Sequence, residues 1–388
     1  MFQQICSLIK IRIQQSPTLV IFFATYLILM FSLDKGELFS RVEWQIYDSW
    51  VRQNHAPLDS DLVVVGVDSN SLSQYGRWPW SRADQAKIIE NIASSGARVI
   101  VVGILYIDAD TRNPADDRRL ADVIEAADNV ILPFYNGEGT SGPVLPIPQL
   151  QIAARDVGHM FLSPDTDGIT RRVYLKAGYR NPHWSQISLA ALETIGVSTS
   201  QLPGITYDLS GTRGFSWVVD HEVLIPFQGV SNNTFRTVSA VDVLQGRYTK
   251  SVFQDAVVFF GLTAPGLDTV PTPILNHLSS VEVAATVYSA LRDGRTTNQS
   301  ASIFSYLITV LSIGTLLLIY TRWSLRWGFA WTLIFAVLPI GLSFLFYRVG
   351  NTWFPPLLAS GTILMAFPGW TWLRLGFLKQ QEKETTEI

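Results

Sequence analysis

The sequence predicts an α/β domain, with a mixed and mostly parallel sheet flanked by helices, attached to four transmembrane helices. Two observations predict it. Short apolar runs alternate with amphipathic segments through the middle of the chain, and longer uncharged segments sit towards its two ends. Charged residues make up only 16% of the 388, while 48% are hydrophobic and 12% aromatic; an ordinary soluble domain is about 25% charged. That balance argues against a disordered chain, a nucleic-acid binder or a wholly soluble enzyme. A net charge of −3 gives no reason to expect a polyanionic partner. The single cysteine, Cys6, excludes a disulfide framework, a Cys-x-x-Cys redox pair and any multi-cysteine zinc or iron–sulfur site.

The apolar excess is concentrated. Pro17–Leu33 carries no charge and is near the short limit for crossing a hydrocarbon core about 30 Å thick. Lys10 and Arg12 precede it, and no small-residue cleavage pattern follows before Asp34, which reads as an uncleaved signal anchor. Three further spans are expected at Ser302–Thr321, Trp327–Tyr347 and Phe354–Leu373, with only Arg322, Arg326 and Arg348 charged between residues 301 and 373. With four spans, Lys10, Arg12, Arg322, Arg326, Arg374, Lys379 and Lys383 all fall on one side and Arg348 on the other, so both termini are expected to be cytoplasmic. The organisation that results is a cytoplasmic N-terminus (1–16), an anchor (17–33), an extracytoplasmic domain (34–300), three spans (301–373) and a short cytoplasmic tail (374–388). The span interiors carry no Asp, Glu, Lys, Arg or His, which argues against a pump or transporter. Pro339 and Pro368 are expected to kink their helices, and Pro355–Pro356 suits a helix entry.

Within the outer region, Leu38, Val42, Ile46, Trp50 and Val51 recur at helical spacing and predict a juxtamembrane stalk. Asp61–Asp68 is a buried-strand run that ends in a carboxylate. Ser81 with Asp84 forms a capping-box-like start for a helix to Ser94, Gly96 ends it, and Arg98–Leu105 is a second buried strand. A helix near Asp116–Ala127 and a strand at Val130–Phe134 continue the alternation, which is the pattern of a parallel sheet covered by helices. Beyond Pro143, strands are expected at Val157–Leu162, Arg172–Ala177, Phe215–Val219 and Val223–Phe227, with a helix at Trp184–Gly196. Ala256–Leu262 is a further buried strand, and Val281–Arg292 has helical periodicity.

No phosphate loop, nucleophile elbow, zinc-protease helix or dinucleotide fingerprint occurs, so no enzyme activity, metal or cofactor is expected. The five histidines, His55, His159, His183, His221 and His277, lack metal-ligand spacing and read as surface or hydrogen-bonded residues. Asp165-Thr-Asp167-Gly168 begins like a calcium loop but lacks its later ligands, and a structural turn is the better account. Arg77-Trp78-Pro-Trp80-Ser-Arg82 places two guanidinium groups and two indoles at a helix start, where free amides attract anions. The bland alternative is that the indoles pack the corner while the arginines pair with carboxylates. Gly261–Asp268 follows a buried strand at the sheet edge where open α/β sheets bind ligands. The candidate ligand-binding residues are therefore Arg77, Trp78, Trp80 and Arg82, with Asp68, Thr263 and Asp268 at the strand ends.

These pieces, in this order, resemble the type-two CHASE domains, which are bacterial extracytoplasmic sensory modules. The resemblance covers most of residues 38–295: Tyr47-Asp48, Val67-Asp68, Gly76-Arg-Trp-Pro-Trp-Ser-Arg82, Gly96-Ala97, Asp117 with Leu120-Ala121, and Gly158-His159. Asp165-Thr-Asp-Gly168, Arg171-Arg172, Val238-Ser239, Gly246, Gly261–Asp268 and Val281-Glu282 complete it. The resemblance implies a bacterial inner-membrane location with the main domain periplasmic or extracellular, one anchor before the domain and three spans after it. It also implies a cytoplasmic cyclase or kinase module, for which Arg374–Ile388 is too short. Where the family commonly has an Asp at the end of the second strand, an acidic residue after Asp68 and a His in the final helix, this chain has Gly103, Ser69 and Ala284. That pattern favours a retained scaffold over the family's ligand contacts. The expectation is a non-enzymatic sensory or scaffold subunit acting through a partner; the alternative is the input portion of a receptor cyclase or kinase. Expected partners are membrane lipid and another membrane or signalling protein, with a homodimer as an option and no nucleic acid.

Overall fold

The computed structural model describes residues 24, 40–54, 59–136, 142–199, 201–207, 216–227, 235–274, 278–300 and 303–386. It divides into two compact units, residues 48–298 in one and residues 1–47 with 299–388 in the other. The expected anchor Pro17–Leu33, apart from residue 24, lies outside the described residues, as do His55 and His277.

The first described helix, α1 (Ser40–Val51), divides between the two units at Tyr47 and Asp48. In the unit 48–298, β1 (Asp59–Val67) leads through the short α2 (Ser69–Tyr75) and α3 (Arg82–Ser94) to β2 (Val99–Val102). The alternation continues with α4 (Pro114–Ala127), β3 (Val130–Asn136), β4 (Pro143–Val144), α5 (Pro148–Ala153) and β5 (Asp156–His159). An antiparallel excursion follows: β6 (Arg172–Tyr179), β7 (Trp184–Ser185), α6 (Ile187–Thr194) and β8 (Trp217–Leu224). The chain then returns to the main sheet with β9 (Phe235–Ser239), α7 (Ala240–Leu244) and β10 (Val257–Leu262), and closes on α8 (Ser280–Arg292).

The main sheet runs β4-β3-β2-β10-β1-β9, with β5 added on β3, and only β4 is antiparallel. Alternate side chains serve opposite cores. Val63, Val65, Val67, Ile100, Val102, Val258 and Phe260 pack with α3, α4 and α7, whereas Leu62, Val64, Val99, Val101, Val257 and Phe259 pack with α6 and α8. Burial on both faces is why the strands read as continuous apolar runs rather than alternating ones. Ser81 caps α3 by accepting from the Asp84 N–H at 3.1 Å, and its own hydroxyl donates to the Asp84 carboxylate at 2.6 Å.

Several boundaries differ from expectation for local reasons. The second strand stops at Val102, and a Cβ at Gly103 would lie 3.1 Å from Cβ of Val281 on α8. The two strands expected at 215–227 are one, β8, which stays in register with β6 while His221 takes a left-handed φ of 55°. Trp184 and Ser185 pair with β6 rather than entering a helix, and α6 starts only after Gln186, whose side chain caps the Ser188 N–H at 2.7 Å. The short β9 and α7 gave no periodic signal.

Four transmembrane helices are expected, but among the described residues two are long and apolar enough to cross a bilayer: Ile303–Tyr320 within α9 (Ile303–Arg322) and α10 (Leu325–Gly350), with mean hydropathy 2.1 and 2.2. The expected last span lies in α11 (Leu357–Thr386), but Ser360, Gly361, Thr362, Pro368, Gly369 and two Trp dilute its apolar run before Arg374. Inside this unit Tyr320 stacks on Trp370 (4.4 Å, 11°), and its hydroxyl lies 2.6 Å from that of Thr332. Trp44 stacks on Trp353 (4.7 Å), and the Glu43 carboxylate accepts from the Leu357 N–H at 3.0 Å, an anion placed at a helix N-terminus.

Candidate functional site

The parallel strands deliver the predicted residues to their C-terminal ends, and there each is held by a different partner. Asp68, directly after β1, accepts from the Ser71 N–H at 2.7 Å, capping α2, and from the Ser239 hydroxyl at 2.6 Å, joining the ends of β1 and β9. Thr263, after β10, sits against Gly66, and the Thr263 and Ala264 N–H groups both donate to the Val67 carbonyl (3.2 and 2.9 Å). Asp268 accepts from the backbone N–H and hydroxyl of Ser280, both at 2.9 Å, at the start of α8. Ser279 and Glu282 complete a capping box on the same turn. A Cβ at Gly103 or Gly261 would approach Val281 to 3.1 or 3.0 Å, so the branched side chain fills the space a larger residue would take at either strand end.

The Arg77–Arg82 segment divides its roles. Arg77 is exposed. Trp78 is half-buried against Trp80, which is buried and donates from Nε1 to the Gly76 carbonyl at 3.1 Å. The Arg82 guanidinium lies 4.4 Å from the centre of the Tyr106 ring, 3.5 Å from the buried Asp117 carboxylate, and donates to the Asp108 carbonyl at 3.1 Å. Arg82 thus has its charge balanced within the fold, whereas Arg77 stands exposed. Tyr106 donates to Gln85 at 2.8 Å, and burial raises its pKa.

Two groupings were not singled out from the sequence. Asp165, Asp167 and Gly168 do form a turn, with Gly168 at φ 80° and its N–H donating to the Asp165 carbonyl at 2.8 Å. Both carboxylates then accept from the buried Arg171, Asp165 at 2.9 Å and Asp167 at 2.9 and 2.7 Å. Arg171 also donates to both oxygens of Asp48. Arg172 bridges Asp165 and Glu222, and Glu222 accepts from the Tyr207 hydroxyl. Burial works against the Arg171 charge, and the hydrogen bonds to Asp48, Asp167 and Asp165 more than offset it, so its pKa is raised. Asp48, Asp165, Asp167, Arg171 and Arg172 appear in separate short fragments of the resemblance and Tyr207 and Glu222 in none, and only their contact makes them a network.

The second grouping corrects the reading of His159 as surface or hydrogen-bonded. It is fully buried, and neither ring nitrogen has a hydrogen-bond partner. Burial, and then the neighbouring Lys176 charge, lower its pKa to about 3. Its ring meets Phe134 edge-on, and Phe134 meets Trp184 at 5.3 Å. The hydrophobic pattern that identifies β5 carries no information about whether its terminal histidine finds a partner.

Among the described residues no group of three or more His, Cys, Asp or Glu side chains is placed to hold a metal ion. Comparison with curated proteins and with solved structures finds no match. The family model described as CHASE2 domain matches residues 20–336. A parallel α/β domain followed in the chain by two membrane-length apolar helices is thus accounted for over most of its length, and the chain belongs to the CHASE2 domain family, a family of extracytoplasmic sensory domains.

Proposed function

We propose that this chain is a non-enzymatic sensory subunit of a bacterial inner membrane that acts through a separate partner protein. The observation that carries the reading is the union, in one chain, of a CHASE2 domain with two helices apolar enough to cross a bilayer. Residues 34–300 then lie outside the membrane and both termini lie in the cytoplasm, an orientation that requires Pro17–Leu33 and Phe354–Leu373 to cross as well. The partner contributes the catalytic output. Support for a framework role comes from the strand ends, where Asp68 and Asp268 are occupied in joining elements.

Purification of the tagged chain from native membranes, followed by identification of bound proteins, tests this. A stoichiometric signalling or membrane partner is expected. Recovery of the chain alone, or with further copies of itself only, overturns partner dependence. The alternative, an input portion of a receptor cyclase or kinase, is favoured if the open reading frame continues in frame into such a domain.

A further inference from the structure

One buried imidazole stands where the main sheet meets the antiparallel one. His159 ends β5, which pairs with β3 at the edge of the main sheet, and bridges to Gln186, the residue between β7 and α6. The ring is fully buried, Phe134 of β3 meets it edge-on, and half-buried Trp184 of β7 packs on Phe134 at 5.3 Å. Neither ring nitrogen has a hydrogen-bond partner among the described residues. Buried polar atoms are nearly always paired, so two unpaired nitrogens on one ring call for an explanation. The charge that acts on the ring is Lys176 of β6, whose ammonium is held by Ser185 of β7 at 2.7 Å and Glu193 of α6 at 3.1 Å. Neither β3 nor β7 has a charged side chain, Asp156 lies at the far end of β5 with its carboxylate on the Val157 N–H, and exposed His183 lies on Trp184 at 3.8 Å. A proton gained at His159 therefore has a cation for a neighbour and no anion to pair with. The cover over the ring is slight, since β7 is two residues long and pairs with β6 only at Lys176 and Ala177.

We propose that His159 is a proton-triggered release for this cover: in the closed state the imidazole is neutral and dry, and in an open state β7 and Trp184 lift from Phe134 and the ring takes a proton from water. Protonation belongs to the open state because burial, and then the Lys176 charge, hold the closed imidazole near 3, against 6.5 when it is free in water. A proton that binds only the open state favours opening as pH falls below 6.5. The open fraction then grows about tenfold per unit, and by about 25-fold between pH 7 and pH 5. The release goes beyond the proposed function and rests on it for one step. A domain outside the membrane meets the pH of the surroundings, and a partner selective for the open state finds its available fraction raised by the same factor.

Amide hydrogen exchange of the full chain in detergent tests this between pH 7 and pH 5, read by mass spectrometry on peptides covering 156–160 and 184–188 and corrected for the intrinsic exchange rate at each pH. These peptides are expected to exchange through a smaller opening than β1 and β10. On acidification their opening should grow about 25-fold more in wild type than in His159→Phe, which keeps a ring and does not titrate. His159→Leu serves where the larger ring disturbs folding. Burial raises the pKa of Asp156, so acid favours the closed state through that residue, and both Asp156 and His183 are common to wild type and variant. A rise that is absent, or equal in wild type and every folded variant, overturns the release, as does exchange of these peptides only together with β1 and β10. If the rise follows the expected pattern while partner capture is identical at pH 7 and pH 5, the release stands and its sensory coupling is what fails.

Discussion

Arg171 holds Asp48 through two parallel hydrogen bonds, Nε to Oδ1 at 2.8 Å and Nη2 to Oδ2 at 2.9 Å, with both side chains buried. The same guanidinium carries Asp165 and Asp167, so removing it leaves the buried Asp48 and the partly buried Asp167 without that cation and Asp165 with Arg172 alone. Breaking a buried pair from one side costs about 3–5 kcal/mol, because the remaining charge is left uncompensated. Arg171→Met is therefore expected to lower the stability of the outer unit by that amount in denaturant titration of the full chain. Arg171→Lys restores the charge without the planar fork and should recover only part of the loss.

Acid should act on this network through Asp167. Its pKa is lowered, first by the hydrogen bond from Arg171, with burial opposing and the Ile169 N–H assisting. A carboxylate depressed in the folded state contributes stability that is present above the unfolded value, near 3.8, and is lost as pH falls through the folded one. Asp167→Asn should remove part of the melting-temperature drop expected below about pH 4 and leave the neutral-pH slope unchanged. Equal drops in wild type and variant would show that Asp167 does not carry the effect.

Backbone approach makes a sharper demand at Gly158. A Cβ there would lie 2.5 Å from Cα of Ile187 and 3.0 Å from its nitrogen, so the obstacle is the backbone at the start of α6 rather than a side chain that turns aside. Overpacking of this kind costs about 1–3 kcal/mol and sometimes more. Gly158→Ala should therefore destabilise the outer unit at the upper end of that range by denaturant titration. Gly168→Ala serves as a comparison, since nothing lies within 4 Å of its Cβ and only its φ of 80° is strained.

The two arginines of the Arg77–Arg82 segment should separate cleanly. Arg77 is exposed, and Arg77→Ala should change stability by no more than about 0.5 kcal/mol. Arg82→Ala removes the contact with Tyr106 and leaves Asp117, 1% exposed, beside an empty place. Thermal unfolding of both variants checks the order, with a clearly larger loss expected for Arg82→Ala.

The parts of the fold that were legible in the sequence are those that obey one local rule over many residues. The runs at 61–68, 98–105 and 256–262 are apolar because β1, β2 and β10 lie at the centre of a sheet covered on both faces. The Ser81 cap was legible because its partner lies three residues away. Partners far apart in sequence were not. Asp268 pairs with Ser280, Asp68 with Ser239 across 171 residues, and Arg171 with Asp48 across 123. At Asp68 and Asp268 the nominated polar residues occupy strand ends, but their hydrogen bonds go to structure. The last membrane segment marks the opposite difficulty, since the Gly, Ser and Thr that weaken its apolar run include Ser360 and Thr362, both buried inside the unit.

His159 gives the remaining prediction, because its pH dependence differs in window from that of Asp167. Its folded pKa is held near 3, chiefly by burial, while the unfolded chain titrates near 6.5. Between those values the unfolded state binds a proton that the folded state refuses, so stability must fall as pH falls from about 6.5 towards 3. Each pH unit in that window corresponds to about 1.4 kcal/mol at most for a single group. His159→Phe keeps a ring against Phe134 and Trp184 and removes the titrating nitrogens, so it should flatten the slope of stability against pH between 6.5 and 4. A denaturant midpoint measured at half-unit intervals distinguishes the cases, and an unchanged slope in His159→Phe would mean that the imidazole gains a proton or a partner before the fold is lost.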